Sequence, residues 1–219
     1  MTGDDADFRR ELEAFRNDPE FAAFLDVPAP VVSAPDGSGD SPIGALVWRP
    51  ALRSRESLAY LTVRSWRAAT KPADLDAFKR AKRAKQAAIL SACADETAAL
   101  LRSMFGPLPG FAVTSVACGH SCDPACFGKC LARRTADALG LPFYQAFRDR
   151  FLRGASHPKE FRRLPPLVFA ERPTGRPTLL VDDLATSGFH LWEAGSQLRA
   201  TGATTVAVAW LGGTVSNID

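Results

Sequence analysis

Two adjacent carboxylates followed at once by a small, hydroxyl-bearing turn are the residues of this chain best arranged for chemistry. They lie in the run Thr178 to Trp210, TLLVDDLATSGFHLWEAGSQLRATGATTVAVAW, where a short apolar stretch leads into Asp182 and Asp183. Burying such a pair without partners is costly. Ala185 to Gly188 (ATSG) then bring small hydroxyl residues and a glycine, and the helix expected from Phe189 aims its first amides at the same loop. Free amides at a helix N-terminus bind phosphate. In open α/β sheets ligands sit at the carboxyl ends of strands, where this acidic pair and anion loop converge. An anionic sugar phosphate suits both halves. The plainer alternative is that Asp183 caps a turn and Thr186 or Ser187 caps the helix. Strand, two acids, Thr-Ser-Gly turn and a helix with Leu191, Ala194 and Leu198 on one face together favour the ligand site.

A second cluster is sulfur. Cys118, Cys122, Cys126 and Cys130 recur at every fourth position of CGHSCDPACFGKC. On one helix they would form a drifting stripe, but Pro124 makes a continuous helix through all of them a poor fit. A loop wrapping Zn2+ or a [4Fe-4S] cluster, with His120 as a substitute ligand, is one reading. Small buried residues packing a strand-to-helix junction are the other. Five cysteines in 219 residues are too few for a secreted disulfide scaffold.

Charge gives a third candidate. Lys79 to Lys85 (KRAKRAK) is basic at five of seven positions. It reads as the solvated side of a helix in preference to a nucleic-acid or phosphate-facing surface. The whole chain carries 27 Lys and Arg against 24 Asp and Glu, a net +3 that is too weak to imply nucleic-acid binding without a local cluster. Nucleic acid is a possible partner, not the favoured one. No apolar run approaches the roughly 20 residues of a membrane helix, so a soluble cytoplasmic protein with no membrane partner is expected.

The elements that must position these residues follow from period and punctuation. Hydrophobic residues make up 46% and charged residues 23% of the chain, an ordinary globular balance. Phe8, Leu12 and Phe15 stand at helical spacing before Asp18-Pro19, predicting two small helices between Asp7 and Leu25. A Pro-, Gly- and Ser-rich stretch from Val27 to Pro42 then reads as a linker, so residues 1–42 form an extension and 43–219 the main domain. Strands are expected at Gly44 to Trp48 and Leu58 to Val63. Pro72 to Met104 reads as helix, with Ile89, Cys93, Thr97, Leu100 and Met104 on the buried face.

Beyond it the chain alternates: strand Phe111 to Val116, helix Ala125 to Leu139 closed by Gly140, strand Pro142 to Phe147, then a basic loop. Strands at Leu167 to Ala170 and Thr178 to Val181, a helix from Phe189 to Thr201 closed by Gly202, and a strand from Thr205 to Leu211 complete it. Strands separated by single helices predict a Rossmann-like open, mainly parallel sheet with helices on both faces. The N-terminal helical extension is expected to form a hood over an acceptor pocket.

VDDLATSG resembles the signature of type I phosphoribosyltransferases for the ribose 5-phosphate diphosphate donor, PRPP. Its spacing to the next strand looks like the competence-associated, ComF-like branch. The match covers Phe111 to Gly213, and only Leu179 to Gly188 is highly specific. By this resemblance Asp182 and Asp183 bind the ribose hydroxyls, and the turn Ala185, Thr186, Ser187 and Gly188 holds the 5-phosphate. Members of the family usually carry a hydroxyl residue where this chain has His190, which is placed to donate to the phosphate or to cover it. Cys118, Gly119, His120 and Ser121 fall in the diphosphate loop. Arg148 to Arg163 looks like the flexible loop that closes over the reacting centre, with Lys159, Arg162 and Arg163 set to neutralise the leaving diphosphate.

The resemblance implies transfer of a phosphoribosyl group to a small-molecule nitrogenous acceptor, with Mg2+ bridging diphosphate and ribose oxygens. No residue of the chain is assigned as a covalent nucleophile. A homo-oligomer, a dimer, is the expected assembly. Two rival readings remain: a non-catalytic PRPP or nucleotide sensor or DNA-uptake accessory, supported by Lys79 to Lys85, and a metal- or cluster-bearing redox protein on this fold.

Overall fold

Strand β4 (Thr178–Ala185) is apolar on both faces, which is what a parallel strand covered by helices on either side requires. Leu179 and Val181 join one core cluster and Leu180 the other. The computed structural model describes residues 46–119, 123, 125–150, 164–173 and 175–215. The extension over residues 1–42, with its expected helices and hood, lies outside them. Within the described residues the other elements are β1 (Val47–Arg55), β2 (Leu58–Arg67), α1 (Lys71–Arg83), α2 (Ala87–Phe105), β3 (Ala112–Ser115), α3 (Phe127–Leu139), α4 (Phe189–Arg199) and β5 (Thr205–Val215).

The sheet has five strands in the order β1-β2-β5-β4-β3. Strands β2, β5, β4 and β3 are parallel to their neighbours, and β1 runs antiparallel at the edge. Helices α1, α2 and α3 cover one face through Phe78, Leu101 and Leu131, where Phe78 stacks on Trp210 at 5.1 Å. Helix α4 covers the other through Leu191, Ala194 and Leu198. This is the open, mainly parallel α/β sheet with helices on both faces that the sequence predicts.

Three local expectations are corrected. The helix expected from Pro72 to Met104 is two helices, because the chain turns at Lys85, whose φ of 49° is left-handed. The strands expected at Pro142 to Phe147 and Leu167 to Ala170 are reduced to single bridges, Val113 with Phe143 and Phe147 with Phe169. There the Ala146 amide donates to the Thr114 hydroxyl, a side chain standing where a ladder carbonyl would. Finally, β4 does not stop at Val181; it carries both aspartates and ends at Ala185.

A buried ion pair ties the first face together. Arg64 on β2 donates Nε to Glu96 Oε2 at 2.8 Å and Nη2 to Oε1 at 2.6 Å, while Nη1 reaches the Leu46 carbonyl at 2.7 Å. Trp210 Nε1 donates to the same Glu96 Oε2 at 2.8 Å. One carboxylate of α2 thus serves β2 and β5 at once. Glu96→Ala leaves a guanidinium buried without its counter-ion, and we expect a loss of about 3–5 kcal/mol in urea unfolding. A loss within the range of an exposed ion pair, under about 1 kcal/mol, would contradict this role.

Candidate functional site

Because Asp182 and Asp183 are successive residues of a strand, their side chains leave on opposite faces of the sheet. Asp183 follows Val181 and faces α1 and the first turn of α3. A Cβ built on Gly128 would stand 3.7 Å from Asp183 Oδ2, so the positive end of α3 borders this carboxylate. Lys82 of α1 reaches the same oxygen at 2.5 Å. Asp182 follows Leu180, and its Oδ1 accepts the Asp183 amide at 2.8 Å. Each aspartate is only 7% exposed.

The two acids and the lysine form one electrostatic unit. Burial, then the neighbouring charge of Asp183, pushes the Asp182 carboxyl up to about 7; Lys82 and the amides of Asp183 and Leu184 oppose that rise. Burial disfavours the Lys82 ammonium, but Asp183 in contact and Asp182 nearby outweigh it and hold the group above its ordinary value. The Asp182 carboxyl thus holds its proton to a higher pH than an ordinary carboxyl, and Asp183 is paired with the Lys82 ammonium.

Lys82 is a site residue that the solvated-face reading of Lys79 to Lys85 missed. Lys79 does lie outward, 3.7 Å from Asp76 on an exposed pair. Lys82, however, stands four residues after the fully buried Phe78 and lies 5.7 Å from the centre of its ring. Leu75, Phe78 and Lys82 share the i, i+3, i+7 stripe that faces the core, and this spacing is the signal that could have found it.

The strand hands over to the turn at Ala185, which is buried, whereas Thr186 is exposed. Gly188 caps α4 with φ 70°, and a Cβ built on it would lie 2.8 Å from the Tyr60 hydroxyl oxygen. Both the conformation and the close approach require glycine. The Ser187 hydroxyl, one residue ahead of that cap, accepts the Phe189 amide at 3.4 Å. The backbone of Ser187 is fixed from outside: its carbonyl accepts Arg55 Nη1 at 2.8 Å. His190 lies in the first helical turn with Nδ1 3.5 Å from Arg150 Nη2.

Arg150 in turn pairs with Glu193 of α4 and donates Nη1 to the Pro165 carbonyl at 2.8 Å. The residues on either side of 151–163 are thereby held together. Lys159, Arg162 and Arg163 lie outside the described residues. In the expected diphosphate loop, Cys118 and Gly119 are described, while His120 and Ser121 are not. The Cys118 amide donates to Asp149 Oδ1 at 3.2 Å, and its carbonyl accepts the Arg150 amide at 3.1 Å. Asp149 also pairs with Lys129 of α3, which lies within the cysteine-rich segment. Neither Asp149, Arg150 nor Lys129 announces itself in the sequence, since each reads as an ordinary charged residue near a loop.

The cysteines do not gather as a ligand shell among the described residues. Cys126 caps α3 and its thiol bonds that of Cys118; this contact first, and burial second, raise the Cys126 thiol well above its usual range. Cys130 packs at the edge of the first core cluster, and Cys122 lies outside the described residues. No group of three or more His, Cys, Asp or Glu poised to hold a metal occurs among the described residues. Likewise, no described helix is long and apolar enough to cross a membrane.

Comparison with known proteins returns structures and no sequences. No family model matches, and no curated protein matches. Among solved structures, the chain is similar to a hypoxanthine-guanine phosphoribosyltransferase from Bacillus anthracis, at 14% identity over 59% of this chain and 72% of that one, with a TM-score of 0.37. It is similar to the HGPRT-ase of Leishmania tarentolae in complex with GMP at 20% identity over 60% and 77%, TM-score 0.34. Adenine phosphoribosyltransferase from Leishmania tarentolae matches at 14% over 56% and 70%, TM-score 0.35. At these values the side chains of this chain itself are the basis for any reading of function.

The raised Asp182 carboxyl has a sign that can be checked. Its folded value, about 7, exceeds the ordinary 3.8, so between those limits the folded state holds a proton that the unfolded state has released. The contribution of Asp182 is fully present below the lower value and is lost as pH rises through the upper. Urea midpoints from about pH 4 to about pH 7 should show Asp182→Asn removing a downward slope in stability; a variant with the wild-type slope contradicts it. Lys82→Met should move the Asp182 titration, followed by carboxyl-resolved NMR, further upward.

Proposed function

We propose that this chain transfers the 5-phosphoribosyl group of PRPP to a nitrogenous acceptor, a base or related heterocycle, with release of diphosphate. One observation carries the reading: an interior strand of a mainly parallel sheet bears two buried carboxylates and passes directly into a glycine-capped turn at the N-terminus of α4. Acids for the ribose hydroxyls and amides for the 5-phosphate then lie at the two ends of one short segment. The resemblance of VDDLATSG to the phosphoribosyltransferase signature supports the same assignment, and its spacing to β5 supports the ComF-like branch.

In this reaction the bond from ribose C1 to the diphosphate oxygen breaks and a bond from C1 to the acceptor nitrogen forms. Positive charge grows on the ring and negative charge on the leaving group, so the protein's work is to position, neutralise and exclude water. Asp182 and Asp183 hold the 2- and 3-hydroxyls, and residues 185–188 with His190 hold the 5-phosphate. Residues 118–121 receive the diphosphate, with Lys159, Arg162 and Arg163 closing on it.

Mg2+ enters with the substrate, as the PRPP complex, and supplies neutralisation of the diphosphate. The residues present fit that arrangement: Lys82 already occupies the Asp183 oxygen that a protein-held cation would take, so the oxygens for the ion come chiefly from PRPP itself. Residues 43–219 form the transferase domain, which we place in the cytoplasm and expect to work as a homodimer.

Calorimetry with PRPP and Mg2+, followed by diphosphate release over a panel of bases, tests the proposal. Wild type should bind PRPP and turn over with at least one base, and the double variant Asp182→Asn, Asp183→Asn should bind none. Binding without turnover on any base would reduce the chain to a PRPP sensor; no binding by wild type would end the reading.

A further inference from the structure

The β1–β2 hairpin brings two arginines to the turn at the start of α4, and they have no part in the acidic site. Arg53 and Arg55 alternate on β1 with the exposed Leu52 and Ser54, so both leave on one face of the sheet. Arg53 is the register partner of Tyr60, which packs against Leu58, Ala207 and Leu191 on the α4 side. The hydroxyl of Tyr60 sits under Gly188, as the 2.8 Å approach to its built Cβ shows. Arg55 lies 5.5 Å from the centre of the Phe189 ring and donates Nη1 to the Ser187 carbonyl. Arg53 reaches the end of β5, where a Cβ built on Gly213 would fall 1.6 Å from its Nη2. Gly213, with φ 86°, is thus the residue that leaves room for this guanidinium.

These side chains are only partly satisfied. The Nε atoms of Arg53 and Arg55 are both buried and have no hydrogen-bond partner among the described residues. Among those residues, too, neither guanidinium has a carboxylate within ion-pair distance. The Tyr60 hydroxyl, pushed up by burial, is pulled back by the charges of both arginines, so the three groups share one electrostatic space. With no carboxylate in ion-pair distance among the described residues, this pair of cations beside the positive end of an eleven-residue helix suits a multiply charged oxyanion. Guanidinium groups match phosphate oxygens in geometry as well as charge.

We propose that Arg53, Arg55 and the Tyr60 hydroxyl form a cationic wall of the 186–188 turn, which binds the ligand's phosphomonoester as its dianion. This deepens the transferase reading and rests on it for the identity of that ligand. The wall comes from the antiparallel edge of the sheet, so the phosphate is gripped from two sides: by turn amides at α4 and by side chains from the hairpin. Selectivity for a terminal monoester over a diester follows, because a diester carries one charge and fewer free oxygens for two guanidinium groups.

Calorimetric titrations of wild type, Arg53→Gln, Arg55→Gln and Arg55→Lys with inorganic phosphate, ribose 5-phosphate, ribose and PRPP with Mg2+ test this. Each Gln variant should weaken phosphate and ribose 5-phosphate about tenfold or more, the scale of one lost charge-assisted contact. Arg55→Lys should recover part of that loss, and Arg53→Gln, which breaks no bond to the turn, should keep the wild-type melting temperature. Unchanged affinity for the phosphates in both Gln variants overturns the wall while leaving the transferase reading intact. Arginine-dependent phosphate binding without any PRPP binding keeps the wall and removes the transferase. If wild type binds no phosphate-bearing probe at all, both fall.

Discussion

The interaction on which the site depends is the contact between Lys82 and Asp183, with Asp182 behind it. Two neighbouring carboxylates inside a sheet cannot both stay ionised without a cation close by. Here the cation is a lysine projected from α1 on the same stripe that buries Phe78 in the first core cluster. The packing of α1 and the charge state of the acids are therefore one problem. Phe78 stacks on Trp210, Trp210 donates to Glu96, and Glu96 holds Arg64. Through that chain of contacts the first face of the sheet positions the lysine, and the lysine fixes the acids.

The opposite face works with a different chemistry. Leu191, Ala194 and Leu198 share one apolar core cluster with Leu58, Tyr60 and Ala207 and seat α4 on the sheet. Charge collects only at its upper rim, where Gly188 and Gly213 admit Tyr60 and Arg53. Tyr60 places its ring in the core and its hydroxyl at the rim, the usual use of an amphipathic aromatic. Asp182 starts from this second face but turns its carboxylate to the backbone amides of Asp183 and Leu184, which keeps it from opposing the arginines directly.

Much of this was legible in the sequence, and what was not has a common cause. The alternation from Phe111 onward predicted the parallel sheet because β3 and β4 and the helices α3 and α4 each carry a local signal of period and punctuation. Gly140, predicted as the stop of α3, has the left-handed φ of 69° that such a stop needs. Thr178 to Gly188 drew attention to itself by composition. The failures concern partners distant in sequence. Lys82 meets Asp183 across a hundred residues, Arg55 meets Ser187 from an edge strand, and Asp149 meets Cys118 from the far side of α3. A charged residue on a short strand or helix reads as surface, because only the tertiary fold says which solvated position becomes a wall.

The charges around the β4–α4 segment also constrain what kind of molecule it can hold. Its lower half presents Asp182 and Asp183, whose joint charge is partly cancelled by Lys82; its upper half presents helix amides and the hairpin arginines. A ligand that is anionic throughout would meet the carboxylates with repulsion, and one that is neutral throughout would leave Arg53 and Arg55 as they stand among the described residues, with no carboxylate in ion-pair distance. The complement is a molecule with hydroxyls at one end and a doubly charged oxyanion at the other, separated by about the span of a few strand residues at roughly 3.3 Å each. A pentose 5-phosphate has that polarity and about that length. On the proposed reading the strand would then set the direction of the sugar, hydroxyls toward the acids and phosphate toward the helix amides.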